Sequence, residues 1–180
     1  MFANPKKHIA KAYIGEGMIV VDFGAAAGYH VFEAAKKVGE YGKIYALDVQ
    51  TDLLRRIKNE ADRQGLKNIE IIHANVEREN GSGLMEHSVD RVFIINRLFQ
   101  ADDNASRVRM FNEALRILKP TGKLVVVDWL ASFGHLGPHP DQVISRDEAA
   151  TLGRQNSFVL EKEFPAGDHH YGLLFTPIKK

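Results

Sequence analysis

Val20-Val21-Asp22-Phe23-Gly24-Ala25-Ala26-Ala27-Gly28 joins an apolar run to a helical pattern through a loop made only of glycine and alanine. The run, Met18 to Val21, is rich in β-branched residues and suits a buried strand. Beyond the loop, Val31, Phe32, Ala35 and Val38 recur at helical spacing until Gly39 stops them. Strand, small-residue loop and helix together bring backbone N–H groups and a helix N-terminus towards a ligand. Small side chains let that ligand come close to the backbone. One or two glycines suffice for an ordinary tight turn. An acid at the strand end followed by a run of small residues points instead to a cofactor loop.

Composition sets the outer bounds. A chain of 180 residues reads as one domain, residues 1–180, able to bury about 70% of its unfolded surface. Its 24 basic residues balance 23 acidic ones, so no basic excess suggests general binding to a phosphate backbone. Cysteine is absent, which removes disulfides, thiolate metal sites and cysteine nucleophiles together. The segment Met1 to Lys11 carries Pro5, Lys6, Lys7 and His8 and lacks the apolar core of a signal peptide. No apolar run approaches the roughly 18 residues of a membrane span. The expectation is a soluble, cytoplasmic domain whose charges are scattered, with no acidic or basic run at its ends other than Lys179-Lys180.

Further along, apolar runs and helical stripes alternate. Residues 4–13 suit a short amphipathic helix closed by Gly15 and Gly17. Lys43 to Asp48 is a second short strand ending in an acid. Thr51 then reads as the N-cap of a helix whose stripe is Leu53, Leu54, Ile57 and Ala61. Asn68 to Ala74 is a third strand, Asn75 to His87 a polar loop, and Val89 to Ile95 a very apolar fourth strand. A helix beginning near Asp102 to Ser106 carries Val108, Phe111, Leu115 and Leu118, and Lys119-Pro120-Thr121-Gly122 reads as a sharp stop after it. Leu124 to Asp128 is a fifth strand, followed by a loop from Ala131 to Asp141. Ser145 and Glu148 have capping-box spacing and open a helix to about Gln155. Phe158 to Phe164 and Tyr171 to Ile178 flank Pro165-Ala166-Gly167-Asp168 as a hairpin. Repeated strand–helix alternation implies a parallel sheet covered on both faces. The closing hairpin must add antiparallel pairing at one edge.

Ligands of open α/β sheets bind beyond the carboxyl ends of the strands. The polar residues placed there are Asp22, Asp48, Asn75, Asn96 and Asp128. Asp48 lies about twenty residues past the loop, where an acid accepts hydrogen bonds from both ribose hydroxyls of a nucleoside. Asn75 stands where its amide reaches a base edge, or else is an ordinary turn asparagine. Asn96 caps the fourth strand, facing either the reacting group or solvent.

These residues carry a resemblance. The chain resembles class I S-adenosylmethionine-dependent methyltransferases, of the broad group that includes ubiquinone/menaquinone-biosynthesis enzymes. Asp22-Phe23-Gly24-Ala25-Ala26-Ala27-Gly28 matches the family's acid-x-glycine loop, with Ala26 in place of the middle glycine. Asp48 matches the ribose acid, and Asn75 stands where an aspartate is usual near the adenine. Val89 to Leu98 is similar to the fourth-strand segment. Ala114 to Asp128 is similar to the helix, Lys-Pro-Gly-Gly turn and fifth strand. The resemblance runs from about Gly17 to Lys180. It implies a doubly wound, mostly parallel seven-stranded α/β sheet of the Rossmann-like methyltransferase type, with an antiparallel C-terminal hairpin strand. It also implies S-adenosyl-L-methionine as cofactor, held by Asp22, Phe23, Gly24, Ala26, Gly28, Asp48, Val49, Asn75, Val76 and Asn96. An alanine at position 26 is compatible with that role at negative φ. The nicotinamide-binding G-x-G-x-x-G spacing and the G-x-x-x-x-G-K-[ST] phosphate loop are both missing.

As the resemblance implies, the reaction is a methyl transfer from sulfur to an acceptor, most simply a small molecule. Asn96-Arg97-Leu98-Phe99 replaces the Asn-Pro-Pro-Tyr-like motif of base-amine methylation, which argues against nucleic acid. A general base is needed only if the acceptor must lose a proton. His135, His139, His169 and His170 are the candidates, and no residue is assigned as catalytic. Loop spacing of His135, His139 and Asp128 does not form a recognisable metal motif. Trp129, Phe133, Phe99 and Arg97 are candidates to line the acceptor cleft. Only about seventeen residues precede the first strand, so a large acceptor or a neighbouring copy in a homo-oligomer is a way to complete it. The alternative reading is a methyltransferase-fold binding or regulatory module without catalysis.

Overall fold

In the computed structural model, which describes residues 4–134 and 136–178, the apolar runs become strands and the helical stripes pack on both sides of them. The order is α1 (Pro5–Lys11), β1 (Ile19–Phe23), α2 (Tyr29–Val38), β2 (Lys43–Asp48), α3 (Thr51–Arg63), β3 (Ile69–His73), β4 (Val89–Ile95), α4 (Asn104–Ile117), β5 (Leu118–Trp129), α5 (Arg146–Gln155), β6 (Phe158–Pro165) and β7 (His170–Pro177). The seven strands form one sheet in the order β3-β2-β1-β4-β5-β7-β6. Strands β1 to β5 pair in parallel. β7 runs antiparallel to both β5 and β6. The closing hairpin therefore inserts its second strand beside β5 and leaves its first at the edge.

Side chains alternate across the sheet as a period of two requires. Val20, Ile44, Phe93 and Val127 pack with Ile9, Phe32 and Ile57 of α1, α2 and α3. Val21, Phe23, Val92 and Val126 pack with Met110, Phe111 and Leu152 of α4 and α5. Phe111, Phe158 and Phe175 meet edge to face with ring centroids 6.1 Å apart, joining α4 to the hairpin. Buried Arg91 on β4 donates to the carbonyls of Ala12 at 2.7 Å and Tyr13 at 2.8 Å. It thereby satisfies carbonyls that the end of α1 leaves open.

Three local expectations are corrected. β1 runs to Phe23 rather than stopping at Val21, so Asp22 is a strand residue. Thr51 is the first helical residue of α3, not its N-cap; Gln50 takes that place without a side-chain cap. The turn into α3 is made instead by Asp48, whose Oδ1 accepts from Gln50 N–H at 2.9 Å. Lys119 to Gly122 does not separate helix from strand as a free turn. Leu118 already pairs with Val89 and Lys123 with Arg91, so residues 119–122 bulge opposite Asp90 alone. Lys119 Nζ closes the bulge on both Asp90 carboxylate oxygens, at 2.8 and 2.9 Å.

Among the described residues, no helix is long and apolar enough to cross a membrane.

Candidate cofactor-binding site

The parallel register sets Phe23 beside Leu47 and Ile94, so the loops after β1, β2 and β4 converge. Gly24 N–H and Ala25 N–H both donate to the Leu47 carbonyl, at 2.9 and 2.8 Å. Ala26 N–H donates to Asp48 Oδ2 at 3.0 Å. Asp48, 8% exposed, thus holds the glycine loop with one carboxylate oxygen and the turn into α3 with the other.

The loop's shape corrects the expectation for Ala26. Its φ is +48°, between Gly24 at +85° and Gly28 at +79°. Three alternate positions are left-handed, and alanine occupies the middle one despite its Cβ. The methyl is exposed, so it meets no crowded wall. Gly28 is required for another reason. A Cβ there would lie 2.9 Å from Ile57 Cγ1 and 3.0 Å from the Phe32 ring, so glycine lets α2 close on α3.

Asp22 is 3% exposed and its Oδ1 has no hydrogen-bond partner. Burial, and secondarily the Asp48 charge, push its carboxyl up to about 7. A buried carboxylate oxygen without a partner is costly unless a donor or cation meets it. Asn75 uses its Oδ1 on Glu77 N–H at 2.9 Å, an Asx turn. Its amide nitrogen is the group left to face a ligand. Asn96 sits at φ +53° with Oδ1 buried and unpartnered. The Phe23 ring is fully buried in the α4 side of the core, so only its backbone reaches the loop.

Gly24, Leu47, Asp48, Val49, Ala74 and Val76 surround one cleft, closed by the Arg97 side chain. Val76 is buried and Val49 is 46% exposed. Arg97, one of the candidates to line the acceptor cleft, has its stem against Gly24 and lines the same cleft as Asp48. Its partners Glu77 and Gln100 were not anticipated, because nothing in a polar loop singles out one glutamate. Asp128, by contrast, turns away from any ligand. Its Oδ2 accepts from Leu98 N–H and its Oδ1 from Trp129 N–H, at 2.9 and 2.8 Å. Burial pushes its carboxyl up to about 6, opposed by those N–H groups.

The candidate bases divide. His139 is exposed and caps the short 3-10 turn Pro140–Gln142. His169 meets Phe133 at a tilt of 52° with centroids 4.2 Å apart, and His170 meets Trp129 at the same separation. Both His170 nitrogens are buried without partners, and burial lowers its pKa to about 4. His135 lies outside the described residues, as do Lys179 and Lys180. A second pair, His8 and His30, had no mark in the spacing. His8 Nε2 faces the Ala166 carbonyl at 2.9 Å, and its Nδ1 faces His30 Nε2 at 2.9 Å. A carbonyl can only accept, so in neutral His8 the proton sits on Nε2 and His30 donates through its own Nε2. Among the described residues, no group of three His, Asp or Glu is arranged to hold a metal ion.

The polar set fits S-adenosylmethionine. An orphaned acid awaits positive charge, a left-handed loop exposes backbone, and Asp48 retains lone pairs beyond its two N–H partners. Residues 14–160 match the family model described as a methyltransferase domain. The chain belongs to that methyltransferase family. A solved S-adenosylmethionine-dependent methyltransferase from Aquifex aeolicus superimposes with a TM-score of 0.86 at 26% identity, covering 97% of this chain and 90% of its own. An arsenite methyltransferase of Halobacterium salinarum is 24% identical over 140 residues, 78% of this chain and 32% of that protein. The ubiquinone/menaquinone biosynthesis C-methyltransferase UbiE of Francisella philomiragia subsp. philomiragia is 27% identical over 125 residues, 69% of this chain and 48% of that protein. The chain thus spans a third to a half of the length of these two relatives. It is an S-adenosylmethionine-dependent methyltransferase domain with the seven-stranded mixed sheet of that fold.

Proposed function

We propose that this domain transfers the methyl group of S-adenosylmethionine to a small-molecule acceptor. The observation that carries the reading is the Asp22–Asp48 pair: one buried acid with an orphaned oxygen, and a second acid tied to the loop beside it. The cofactor supplies a methyl group already activated by positive charge on sulfur. The protein's task is then mainly to orient and enclose, and proximity contributes about 7–11 kcal/mol to well-aligned reactions.

Each residue has a place in that task. Asp48 has two N–H partners and about four lone-pair sites, so two remain for ribose hydroxyls. Asp22 opposes cationic charge through its free Oδ1. The Asn75 amide nitrogen donates to a ring nitrogen of the base, between Val49 and Val76. The backbone at Phe23, Gly24, Ala26 and Gly28 shapes the loop, and Asn96 Oδ1 faces inward from β4. The acceptor side lies at the end of β5, where Trp129, Phe133, His169 and His170 form a run of tilted rings in contact. His170, lowered to about 4, is a poor general base near neutral pH. Balanced charge, 24 basic against 23 acidic residues, favours a small acceptor over nucleic acid.

Titration of S-adenosylhomocysteine by calorimetry tests the reading. Hydrogen bonds to a charged group contribute about 1.5–3 kcal/mol, so Asp48→Ala is expected to weaken binding by about 10- to 150-fold. Unchanged affinity in a variant that still melts cooperatively refutes the ribose assignment. One observation favours a second reading, a methyltransferase-fold binding module without catalysis: Arg97 occupies the cleft where adenosine would lie. Failure of every variant to bind S-adenosylhomocysteine would select it.

A further inference from the structure

The cleft bounded by Gly24, Leu47, Asp48, Val49, Ala74, Val76 and Arg97 has a volume of about 10 Å³. That is room for about one water, whereas ligand pockets usually measure about 300–1,000 Å³. Five of its seven walls stand on or next to the ends of β1, β2 and β3, and the sixth, buried Val76, lies in the loop after β3. The seventh is the long side chain of Arg97, in the loop after β4. Its stem presses on the glycine loop: a Cβ on Gly24 would lie 2.4 Å from Arg97 Cδ. Its guanidinium is held from beyond the cleft. NH2 pairs with Glu77 Oε1 at 2.6 Å and NH1 donates to Gln100 Oε1 at 3.0 Å. Both partners of the ion pair are shielded, with side chains 17% and 14% exposed. Yet Arg97 Nε is buried without a partner, so this side chain is not fully satisfied where it lies.

We propose that Arg97 and Glu77 form a latch across the adenosyl cleft, and that the cofactor binds only when the latch opens. The proposal rests on the cofactor reading given above. Asp48, Val49 and Val76 are the groups assigned to ribose and base, and Arg97 is the side chain that shares their cleft. Leaving the cleft lets Nε reach water. It costs Arg97 its charge-assisted bonds to Glu77, which are shorter and stronger than neutral ones. The closed state therefore competes with the cofactor. Affinity is reduced by the fraction of molecules that are open. Glycine at position 24 has a second reason here, since it makes room for the arginine stem as well as for a ligand.

S-adenosylhomocysteine binding to the full chain tests the latch by calorimetry and by surface plasmon resonance. For Arg97→Ala the expected result is a dissociation constant at least about tenfold lower, carried by a faster association rate. Glu77→Gln leaves the arginine in place but removes its counter-charge, and is expected to tighten binding by a smaller factor. Adding Asp48→Ala to Arg97→Ala should abolish the gain. Wild-type binding with unchanged or weaker binding by Arg97→Ala overturns the latch and leaves the cofactor reading standing, with Arg97 a wall or a ligand. No binding by wild type, Arg97→Ala or Glu77→Gln, all melting cooperatively, overturns both.

Discussion

Ala26 stands at φ +48° with an exposed methyl, and replacing it with glycine isolates the cost of that backbone conformation. A left-handed residue bearing a Cβ costs about 1–2 kcal/mol. Glycine removes that cost but gives the unfolded chain more freedom, which returns about 0.4–1 kcal/mol. No apolar contact is lost, because the methyl is exposed. The bond from residue 26 to Asp48 is made by the backbone and survives the change. The two ranges differ by about 0–1.6 kcal/mol, and the middle of that span, about 0.5–1 kcal/mol, is the stabilisation expected of Ala26→Gly. For a chain of this size that is a rise in Tm of about 1–4 °C. Urea unfolding should show a higher midpoint at an unchanged slope, the mark of a stability change without a change in exposed surface. A midpoint that stays put or falls would refute the reasoning, because the left-handed alanine would then carry no cost for glycine to relieve.

Two further substitutions separate binding from folding. Asp22 has a folded-state pKa raised to about 7. Its contribution to stability is full below about pH 4 and is lost as pH rises to about 7. Asp22→Asn removes that loss, worth at most about 4 kcal/mol for three units. It is expected to raise Tm at pH 8, leave it little changed at pH 4, and weaken S-adenosylhomocysteine binding; equal Tm profiles from pH 4 to 8 would show that Asp22 is not penalised by burial. Ser145→Ala breaks the observed capping box, in which Ser145 Oγ accepts from Glu148 N–H at 3.2 Å and Ser145 N–H donates to Glu148 Oε2 at 2.9 Å. It should cost about 1 kcal/mol and lower Tm by about 2–4 °C, with S-adenosylhomocysteine affinity unaltered.

The elements were legible wherever a local rule governs them. β2 and β4 fall on the residues their apolar runs mark, and α5 begins at its capping box. The misplacements have tertiary causes. The start of α3 is set by Asp48, a residue of the preceding strand, rather than by Thr51. Residues 119–122 look like a break, yet β4 continues to pair on either side of them. In the site, Asp48 and the loop were legible because spacing alone places them. The sign of φ at Ala26 was not, since it depends on the Asp48 carboxylate that draws its N–H inward. The Arg97–Glu77 pair was not legible either. Twenty residues separate its members, and only the meeting of the β3 and β4 loops brings them together.

Three aspartates stand at or next to the carboxyl ends of β1, β2 and β5, and their surroundings divide the roles that one residue type can play. Asp128 spends both oxygens on backbone N–H groups, of Leu98 in the loop after β4 and of Trp129 at the end of β5. Asp48 does the same for the loops after β1 and β2, but lies at the open cleft with lone pairs to spare. Asp22 lies next to Asp48's loop with a buried oxygen that no hydrogen-bond donor among the described residues meets. The first is therefore a staple, the second a staple with lone pairs to spare, and the third a group whose buried oxygen calls for a donor or a cation. Burial pushes Asp128 and Asp22 in the same direction, to about 6 and about 7. The raised pKa alone would not tell the staple from the binding group; the missing hydrogen bond does.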